Sequence, residues 1–186
     1  MSGRWVFVCG PSGAGKDSVI SWAAQHLGAR SDITFSRRMV TRPRYPGSDH
    51  EEVSREQLAR LLGAGRLVWC WEANGWHYGI EAHYAAKVST GHVVVVNGSR
   101  EHAHGLVALP QVRVVHVVAE AGTLAARLAQ RGREEPWEVA RRLARNALFP
   151  DLQAHCTIVN EGELAQAGQT LVEYLLGCAV GQGTPA

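Results

Sequence analysis

The chain has 186 residues, of which 46% are hydrophobic and 19% are charged, and its formal net charge is +2. This length and composition predict one compact globular domain with a substantial core. The small net charge argues against nucleic acid or an anionic membrane as the main partner, so any basic function has to come from local clusters of arginine. No apolar run reaches the length of a membrane span, and the first residues do not have the pattern of a signal peptide.

The four cysteines are Cys9, Cys70, Cys156 and Cys178, and no two of them form a CxxC pair. They fall mostly in apolar segments. This placement predicts buried thiols in a reducing compartment rather than disulfides or a zinc site. We therefore expect a cytoplasmic protein.

Apolar strands and amphipathic helices alternate along most of the chain, which predicts an α/β fold with a parallel sheet flanked by helices. The predicted elements are, in order, strand 5–9, helix 16–27, strand 33–40, helix 54–62, strands 67–73 and 76–78, helix 81–89, strands 93–96 and 112–118, helices 122–130 and 136–148, strand 157–159 and helix 163–176. Two local signals are specific. Ser54 and Gln57 form a capping box at a helix start, and Asn74-Gly75 indicates a tight hairpin turn.

One segment, from about residue 42 to residue 89, breaks the alternation of strand and helix. We expect this segment to form a lobe inserted in a single domain that spans residues 1–178. Residues 179–186 are expected to form a flexible tail, as is usual at chain ends that carry few apolar residues.

Residues 10–16 read Gly-Pro-Ser-Gly-Ala-Gly-Lys between a predicted strand and a predicted helix. The glycines let successive backbone amides turn toward an anion, the helix N-terminus adds a positive dipole, and Lys16 adds a charge near the β- and γ-phosphates. This context predicts a phosphate-binding loop and therefore an ATP-dependent phosphotransferase. The residues expected to hold the nucleotide here are Gly10, Pro11, Ser12, Gly13, Ala14, Gly15, Lys16, Asp17 and Ser18.

Asp17 stands where this loop motif has a serine or threonine whose hydroxyl binds Mg²⁺. An acidic residue in the first turn of a helix can also serve only to complement the helix dipole. We favour a metal role, because the position faces the metal in this loop type and a carboxylate is a harder, charged oxygen ligand. Asp17 is therefore the predicted Mg²⁺ ligand.

Short motifs along nearly the whole chain resemble the guanylate kinase family. They are the loop at 10–16, Val40-Thr41-Arg42, Pro46-Gly47, the segment 53–56, Tyr78-Gly79 and the pair of arginine-rich helices. The resemblance implies a P-loop kinase fold with an inserted acceptor-binding lobe and an arginine-rich lid at about residues 127–145. It also implies that Lys16, Arg131 and Arg142 are catalytic, and that Arg127, Arg133 and Asn160 bind the nucleotide.

The chain departs from that family at the positions that recognise guanine. Trp69 replaces a glutamate, Ile80 replaces a threonine or serine, and His50 replaces a tyrosine near the start of the lobe helix. A buried polar group without a partner costs about 1–3 kcal/mol, so guanine is expected to bind poorly. The residues implied as ligands of an acceptor phosphate, Arg42 and Tyr78, remain.

A second set of motifs resembles the ribose 1,5-bisphosphate phosphokinase family. It comprises Gly15-Lys-Asp-Ser18, Thr41-Arg-Pro43, Ala73-Asn-Gly75 and Val96-Asn-Gly-Ser-Arg100. The resemblance implies that ATP, with Mg²⁺, phosphorylates ribose 1,5-bisphosphate to 5-phospho-α-D-ribose 1-diphosphate in the use of phosphonates. The acceptor-binding candidates are Arg38, Arg42, Arg44, His50, Glu72, Tyr78, Asn97, Ser99 and Arg100, with Arg37 beside them.

Several of these residues also have a purely structural interpretation. Arg127 and Arg131 could form a solvated helix face, Asn97 could belong to a turn, and Asn160 could cap a loop. Trp69 is more simply a part of the lobe core. Two other functions remain open: a nucleoside monophosphate kinase with relaxed base recognition, and a non-catalytic binding module.

Overall fold

The computed structural model describes residues 3–44, 49–130 and 152–180. The elements in these residues are β1 (Arg4–Cys9), α1 (Lys16–Leu27), β2 (Ile33–Phe35), β3 (Arg38–Val40), β4 (His50–Glu52), α2 (Arg55–Gly63), β5 (Leu67–Ala73), β6 (Trp76–Glu81), α3 (His83–Ser89), β7 (Val93–Asn97), α4 (Arg100–Leu106), β8 (Val112–Val118), α5 (Ala121–Gln130), β9 (Cys156–Val159) and α6 (Leu164–Val180). None of the described helices has the length and apolar character needed to cross a bilayer.

The main sheet has five parallel strands in the order β2-β7-β1-β8-β9. Its valine-rich strands are almost fully buried, as expected for strands covered on both faces. The carboxyl ends of the parallel strands meet at one edge of the sheet, where Val8 pairs with Asn97 and Cys9 pairs with His116. The predicted α/β fold is confirmed, and this edge is where its ligands are expected to bind.

A second, smaller sheet has four strands in the order β4-β3-β6-β5. The hairpin between β5 and β6 turns at Asn74 and Gly75, which both have positive φ angles of 55° and 75°. The capping box is also confirmed, because Ser54 Oγ accepts from Gln57 N and Gln57 Oε1 accepts from Ser54 N. This sheet is the lobe that the interrupted alternation predicts.

Two apolar clusters cover the two faces of the main sheet. On one face, α1 and α6 cover the sheet in a cluster that includes Val6 and Val8 of β1 and Leu171 of α6. On the other face, Trp5 and Phe7 of β1 belong to the same cluster as lobe residues, which include Val40, Trp71, Ala73, Tyr78 and Ile80. The lobe is therefore joined to the main sheet by a continuous apolar contact.

The segment 33–40, predicted as one strand, forms two short strands in different sheets. β2 pairs with β7 of the main sheet, whereas β3 pairs with β4 and β6 of the lobe. Between them Ser36 Oγ donates to Val95 O, and Arg37 N donates to Tyr84 Oη. The prediction of a single strand was wrong because the chain changes sheets within an unbroken extended segment.

Other boundaries also differ from the predictions. Strand β4 and helix α4 were not predicted. Helix α6 continues to Val180, so residues 179 and 180 are helical rather than part of a tail. The predicted helix 136–148 lies outside the described residues.

All four cysteines are free, but only Cys9 is fully buried and Cys70 is exposed, so the expectation of four buried thiols was wrong. Cys70 lies on β5, where alternate side chains face away from the core.

Candidate active site

The phosphate-binding loop lies between β1 and α1, as the sequence predicts. Gly13 and Gly15 have positive φ angles of 92° and 79°, and α1 begins directly at Lys16. A Cβ at Gly15 would lie 2.5 Å from Asn160 Nδ2, and a Cβ at Gly10 would lie 2.2 Å from the carbonyl oxygen of Val117. The loop therefore needs glycine both for its backbone angles and for its close packing against neighbouring strands.

A cavity of about 350 Å³ opens beside this loop, and five of the predicted nucleotide ligands line it. Asn160 is 4% exposed, and its Nδ2 donates to the carbonyl oxygen of Ala14 at 2.7 Å, which holds the loop in place. Arg127 Nη1 is buried and has no hydrogen-bond partner within the described part of the chain. An anion in this cavity would supply a partner for that donor. The cavity is lined by Gly13, Gly15, Ser18, Arg127, Asn160, Gly162 and Leu164.

Asp17 and Asn97 meet at the carboxyl edge of the sheet. Asn97 Nδ2 donates to Asp17 Oδ1 at 2.5 Å, and Lys16 Nζ lies 3.4 Å from the same oxygen. The charge of Lys16, followed by that of Arg38 and the bond from Asn97, holds the pKa of Asp17 well below its usual range. The Asp17 side chain is 51% exposed, so an ionised carboxylate faces the site.

The same pair offers oxygen atoms to a hard cation. Asn97 Oδ1 is buried and has no hydrogen-bond partner in the residues that the structure describes. Those residues contain no group of three or more His, Cys, Asp or Glu side chains that could hold a metal alone. A carboxylate, an amide oxygen and the oxygens of a nucleotide suit Mg²⁺, which usually keeps waters and uses substrate phosphates as ligands.

Arg38 brings the lobe into this site. A small cavity of about 100 Å³ is lined by residues that include Asp17, Ser21, Ser36, Arg38 and Asn97. The guanidinium of Arg38 also lies over the Tyr78 ring, with Cζ 5.8 Å from the ring centroid. Arg38 of β3 and Asp17 at the start of α1 therefore line one cavity, and an acceptor-binding role for Arg38 stays a prediction.

The chain is similar to several curated proteins over almost its whole length, although no protein-family model matches it. Ribose 1,5-bisphosphate phosphokinase PhnN from Rhizobium etli is 41% identical over 178 residues, which cover 94% of this chain and 90% of that protein. The proteins of the same name from Burkholderia pseudomallei and Acidiphilium cryptum are 41% and 42% identical, and each alignment covers 95% of this chain. The chain belongs to the ribose 1,5-bisphosphate phosphokinase family.

Solved structures show that the fold of this family member is that of P-loop kinases. A guanylate kinase from Anaplasma phagocytophilum aligns with a TM-score of 0.69 at 17% identity, covering 96% of this chain and 89% of that one. A gluconokinase from Sinorhizobium meliloti aligns with a TM-score of 0.54, also at 17% identity, covering 97% and 95%. At this identity the likeness concerns the fold alone, and it confirms the predicted fold class.

Four further acceptor ligands predicted in the lobe differ in their burial and in their hydrogen-bond partners. Arg42 follows β3, and its carbonyl oxygen accepts from Nε2 of His50, which is fully buried in β4 shortly before the start of α2. Arg44 is exposed, and its backbone N donates to Glu52. Glu72 is exposed between the buried Trp71 and Ala73, so it lies on the face of β5 that points away from the cluster. The structure therefore does not bring Glu72 to the site.

Ser99 and Arg100 form the start of α4. Ser99 Oγ accepts from His102 N at 3.2 Å and is the N-cap of that helix, a structural role that the sequence analysis missed. Burial raises the pKa of Cys9 and lowers the pKa of His116, and the positive charge of Arg100 opposes the first shift and adds to the second. A binding role for Ser99 and Arg100 stays a prediction.

His116 is a polar residue at this edge that the sequence analysis missed. It lies on β8 opposite Cys9, and its Nε2 is buried with no hydrogen-bond partner among the described residues. Burial lowers the pKa of its imidazole below the ordinary value. The sequence signal that could have identified His116 is its position as a polar residue within the valine-rich strand β8. The lid residues Arg131, Arg133 and Arg142, by contrast, lie outside the described residues.

Proposed function

We propose that this chain transfers the γ-phosphoryl group of ATP to the 1-phosphate of ribose 1,5-bisphosphate and so forms 5-phospho-α-D-ribose 1-diphosphate. The curated relatives that are about 41% identical carry the name of this activity. The structural observation that supports it best is the position of Arg38, which lines one cavity together with Asp17 and Asn97 beside the phosphate loop. We place the reaction in the cytoplasm and in the use of phosphonates.

The donor is held by the loop and by its neighbours. The amides of residues 13–16 and the N-terminus of α1 receive the phosphates of ATP, and Lys16 neutralises the β- and γ-phosphates. Asn160 and Arg127 line the cavity beside the loop and contact the rest of the nucleotide. Arg131, Arg133 and Arg142, which lie outside the described residues, are proposed to add positive charge to this side.

When bound, Mg²⁺ would supply positive charge to neutralise the charge that develops on the phosphates during transfer. Asp17 and Asn97 are the residues of this chain that would hold it. Their fit rests on an ionised carboxylate and on the buried Asn97 Oδ1 that has no partner among the described residues. The amide of Asn97 orients Asp17 by donating to its Oδ1.

The acceptor needs no strong general base, because a phosphate oxygen is already ionised at neutral pH. This oxygen forms a bond to the γ-phosphorus as the bond from that phosphorus to the bridging oxygen breaks, and ADP leaves. Catalysis then depends on positioning and on charge neutralisation. On the acceptor side, positioning and charge neutralisation come from Arg38, Arg42 and Tyr78. On the donor side, they come from Lys16, Arg131 and Arg142.

The lobe core supports a sugar phosphate rather than a nucleotide as the acceptor. Trp69 pairs with Ile80 across the hairpin, and both residues belong to the apolar cluster. The ring of Trp69 packs edge-on against Trp5 and Phe7, at centroid distances of 5.6 and 5.5 Å. At these positions no carboxylate or hydroxyl is available to pair with the polar edge of guanine, so a guanine base would lose hydrogen bonds on entering.

The test is a comparison of two acceptors. The protein is incubated with ATP and Mg²⁺ together with either ribose 1,5-bisphosphate or GMP, and both ADP and the phosphorylated product are followed. We expect turnover with ribose 1,5-bisphosphate and little or none with GMP. Turnover with GMP alone would overturn the proposal in favour of a nucleoside monophosphate kinase. If neither acceptor is used, a non-catalytic binding module becomes the better interpretation.

A further inference from the structure

A row of flat side chains connects the main sheet to the acceptor side of the site. His102 of α4 lies parallel to Trp71 of β5, with ring centroids 4.7 Å apart and an interplanar angle of 13°. Trp71 in turn lies parallel to Tyr78 of β6, at 5.3 Å and 6°. We call His102, Trp71 and Tyr78 the aromatic row. It ends at Arg38 of β3, whose guanidinium lies over the Tyr78 ring.

The order of strands in the lobe shows why the row is continuous. β6 lies between β3 and β5, and Trp71 is the direct cross-strand partner of Tyr78. Arg38 and Trp71 therefore come from the two strands that flank Tyr78, and each lies over its phenol ring. An aromatic ring held in this way limits the positions open to a guanidinium, because a planar cation prefers to lie over the ring face.

The other end of the row is fixed to the main sheet. Phe7 of β1 contacts His102 edge-on, with centroids 5.5 Å apart, and Phe7 is fully buried. α4 itself begins just after the Asn97 end of β7, with Ser99 as its cap. Burial lowers the pKa of His102 to about 4, so its imidazole is neutral at physiological pH and packs as an uncharged ring. The row thus runs from the strand that carries the phosphate loop to the lobe.

We propose that Trp71, acting through Tyr78, is a positioning residue that sets where the Arg38 guanidinium lies in the cavity beside Asp17. This inference rests on the proposed function, because it takes Arg38 to be a ligand of the acceptor phosphate. Its consequence is that a buried lobe residue, which touches neither substrate, controls the affinity for the acceptor and leaves the binding of ATP unchanged.

Two substitutions at the same position separate stacking from simple filling of space. Trp71→Phe keeps a flat ring beside Tyr78, whereas Trp71→Leu keeps apolar volume without a ring. We expect Trp71→Leu to raise the KM for ribose 1,5-bisphosphate about tenfold while the KM for ATP stays within about twofold, and Trp71→Phe to stay within about threefold for both. Trp76→Leu, at a half-buried tryptophan of the same hairpin outside the row, is the matched control and leaves both KM values near those of the parent.

A second comparison asks whether Trp71 acts through Arg38. In an Arg38→Ala background, Trp71→Leu is expected to have no further effect on the acceptor KM, because the group that it positions is gone. Equal effects of Trp71→Leu with and without Arg38 would overturn the inference. So would a rise in both KM values together, or equal acceptor KM values for the leucine and phenylalanine variants, since these would indicate a role in folding alone.

A binding measurement keeps this inference separate from the proposed function. The loop is saturated with a non-hydrolysable ATP analogue and Mg²⁺, and inorganic phosphate is titrated by calorimetry into the parent, Trp71→Leu and Trp71→Phe proteins. Weaker phosphate binding in Trp71→Leu alone supports the inference even if ribose 1,5-bisphosphate is not turned over. Equal phosphate affinity in all three proteins overturns it even if that substrate is turned over.

Discussion

The donor side and the acceptor side of the site are built in different ways. The centre of the donor side is made of consecutive residues, 10–18, whose proposed binding groups are largely backbone amides at the start of α1, and Arg127 and Asn160 join it from later in the chain. The acceptor side takes Arg38, Trp71 and Tyr78 from three different strands, and side-chain packing holds them together. A donor site of this kind depends on local backbone angles, whereas the acceptor side depends on the core beneath it. Substitutions should therefore affect the two sides through different measured quantities.

The largest effect is expected on the donor side, at Lys16. Lys16→Ala removes a full positive charge from the β- and γ-phosphates without changing the core, so kcat should fall about 10³-fold while the melting temperature is maintained. The rate is measured by the release of ADP. The other lysine of the chain, Lys87 of α3, donates to Thr34 of β2, and Lys87→Ala is the matched control. Similar losses of kcat in both variants would contradict a phosphate role for Lys16.

A substitution in the lobe core should instead act on stability. Trp69→Glu places a carboxylate against Trp5 and Phe7, and we expect it to lower the free energy of unfolding by about 3 kcal/mol. Cys70→Glu introduces a carboxylate at the next residue, on the exposed face of β5. There we expect the free energy of unfolding to change by no more than about 0.5 kcal/mol. Urea unfolding measures both. Equal destabilisation by the two variants would show that Trp69 is not part of the core.

An intermediate effect is expected at Asp17, where the two sides meet. Asp17→Ala removes the anionic oxygen that is proposed to hold Mg²⁺, so the Mg²⁺ concentration for half-maximal rate should rise about tenfold. Asp32 pairs with Arg30 on the surface, and Asp32→Ala controls for the general loss of a carboxylate. An unchanged magnesium dependence in Asp17→Ala would refute the metal role. Asp17 would then serve only to complement the dipole of α1.

The smallest effect concerns the pH dependence of stability at His102. Burial lowers the pKa of His102 to about 4. Between about pH 6.5 and pH 4 the unfolded chain therefore binds a proton here that the folded chain does not, and the free energy of unfolding falls as the pH falls. His102→Phe keeps a ring beside Trp71 and should reduce this fall by on the order of 1 kcal/mol.

Urea unfolding of the parent and of His102→Phe at pH 7.5 and pH 4.5 measures this difference. His50, His116 and His155, whose pKa values burial also lowers, maintain the remaining pH dependence in both proteins. An equally steep fall in the variant would show that His102 does not contribute.

The features predicted well from sequence are those that a few neighbouring residues determine. The phosphate loop, the capping box at Ser54 and the hairpin at Asn74-Gly75 each depend on local backbone angles and on hydrogen bonds within a few residues. The features predicted poorly depend on distant partners. Residues 33–40 form one extended run in sequence, but β2 and β3 find their partners in different sheets. Glu72 was an acceptor candidate, and only the pairing of β5 shows that it faces away.

The sequence by itself determined that this protein holds nucleotide phosphates, because the loop at residues 10–16 carries its binding groups in its own backbone. Short motifs also indicated the family to which it belongs. Only the tertiary structure decided which side chains meet this loop, since Asp17 and Asn97 are 80 residues apart and Asn160 reaches Ala14 across 146 residues. Such contacts depend on the order of strands in the sheet and on the packing of the lobe. Hydrophobic burial drives the formation of the sheet and the packing of the lobe. Because it is non-directional, local sequence does not specify which residues become partners.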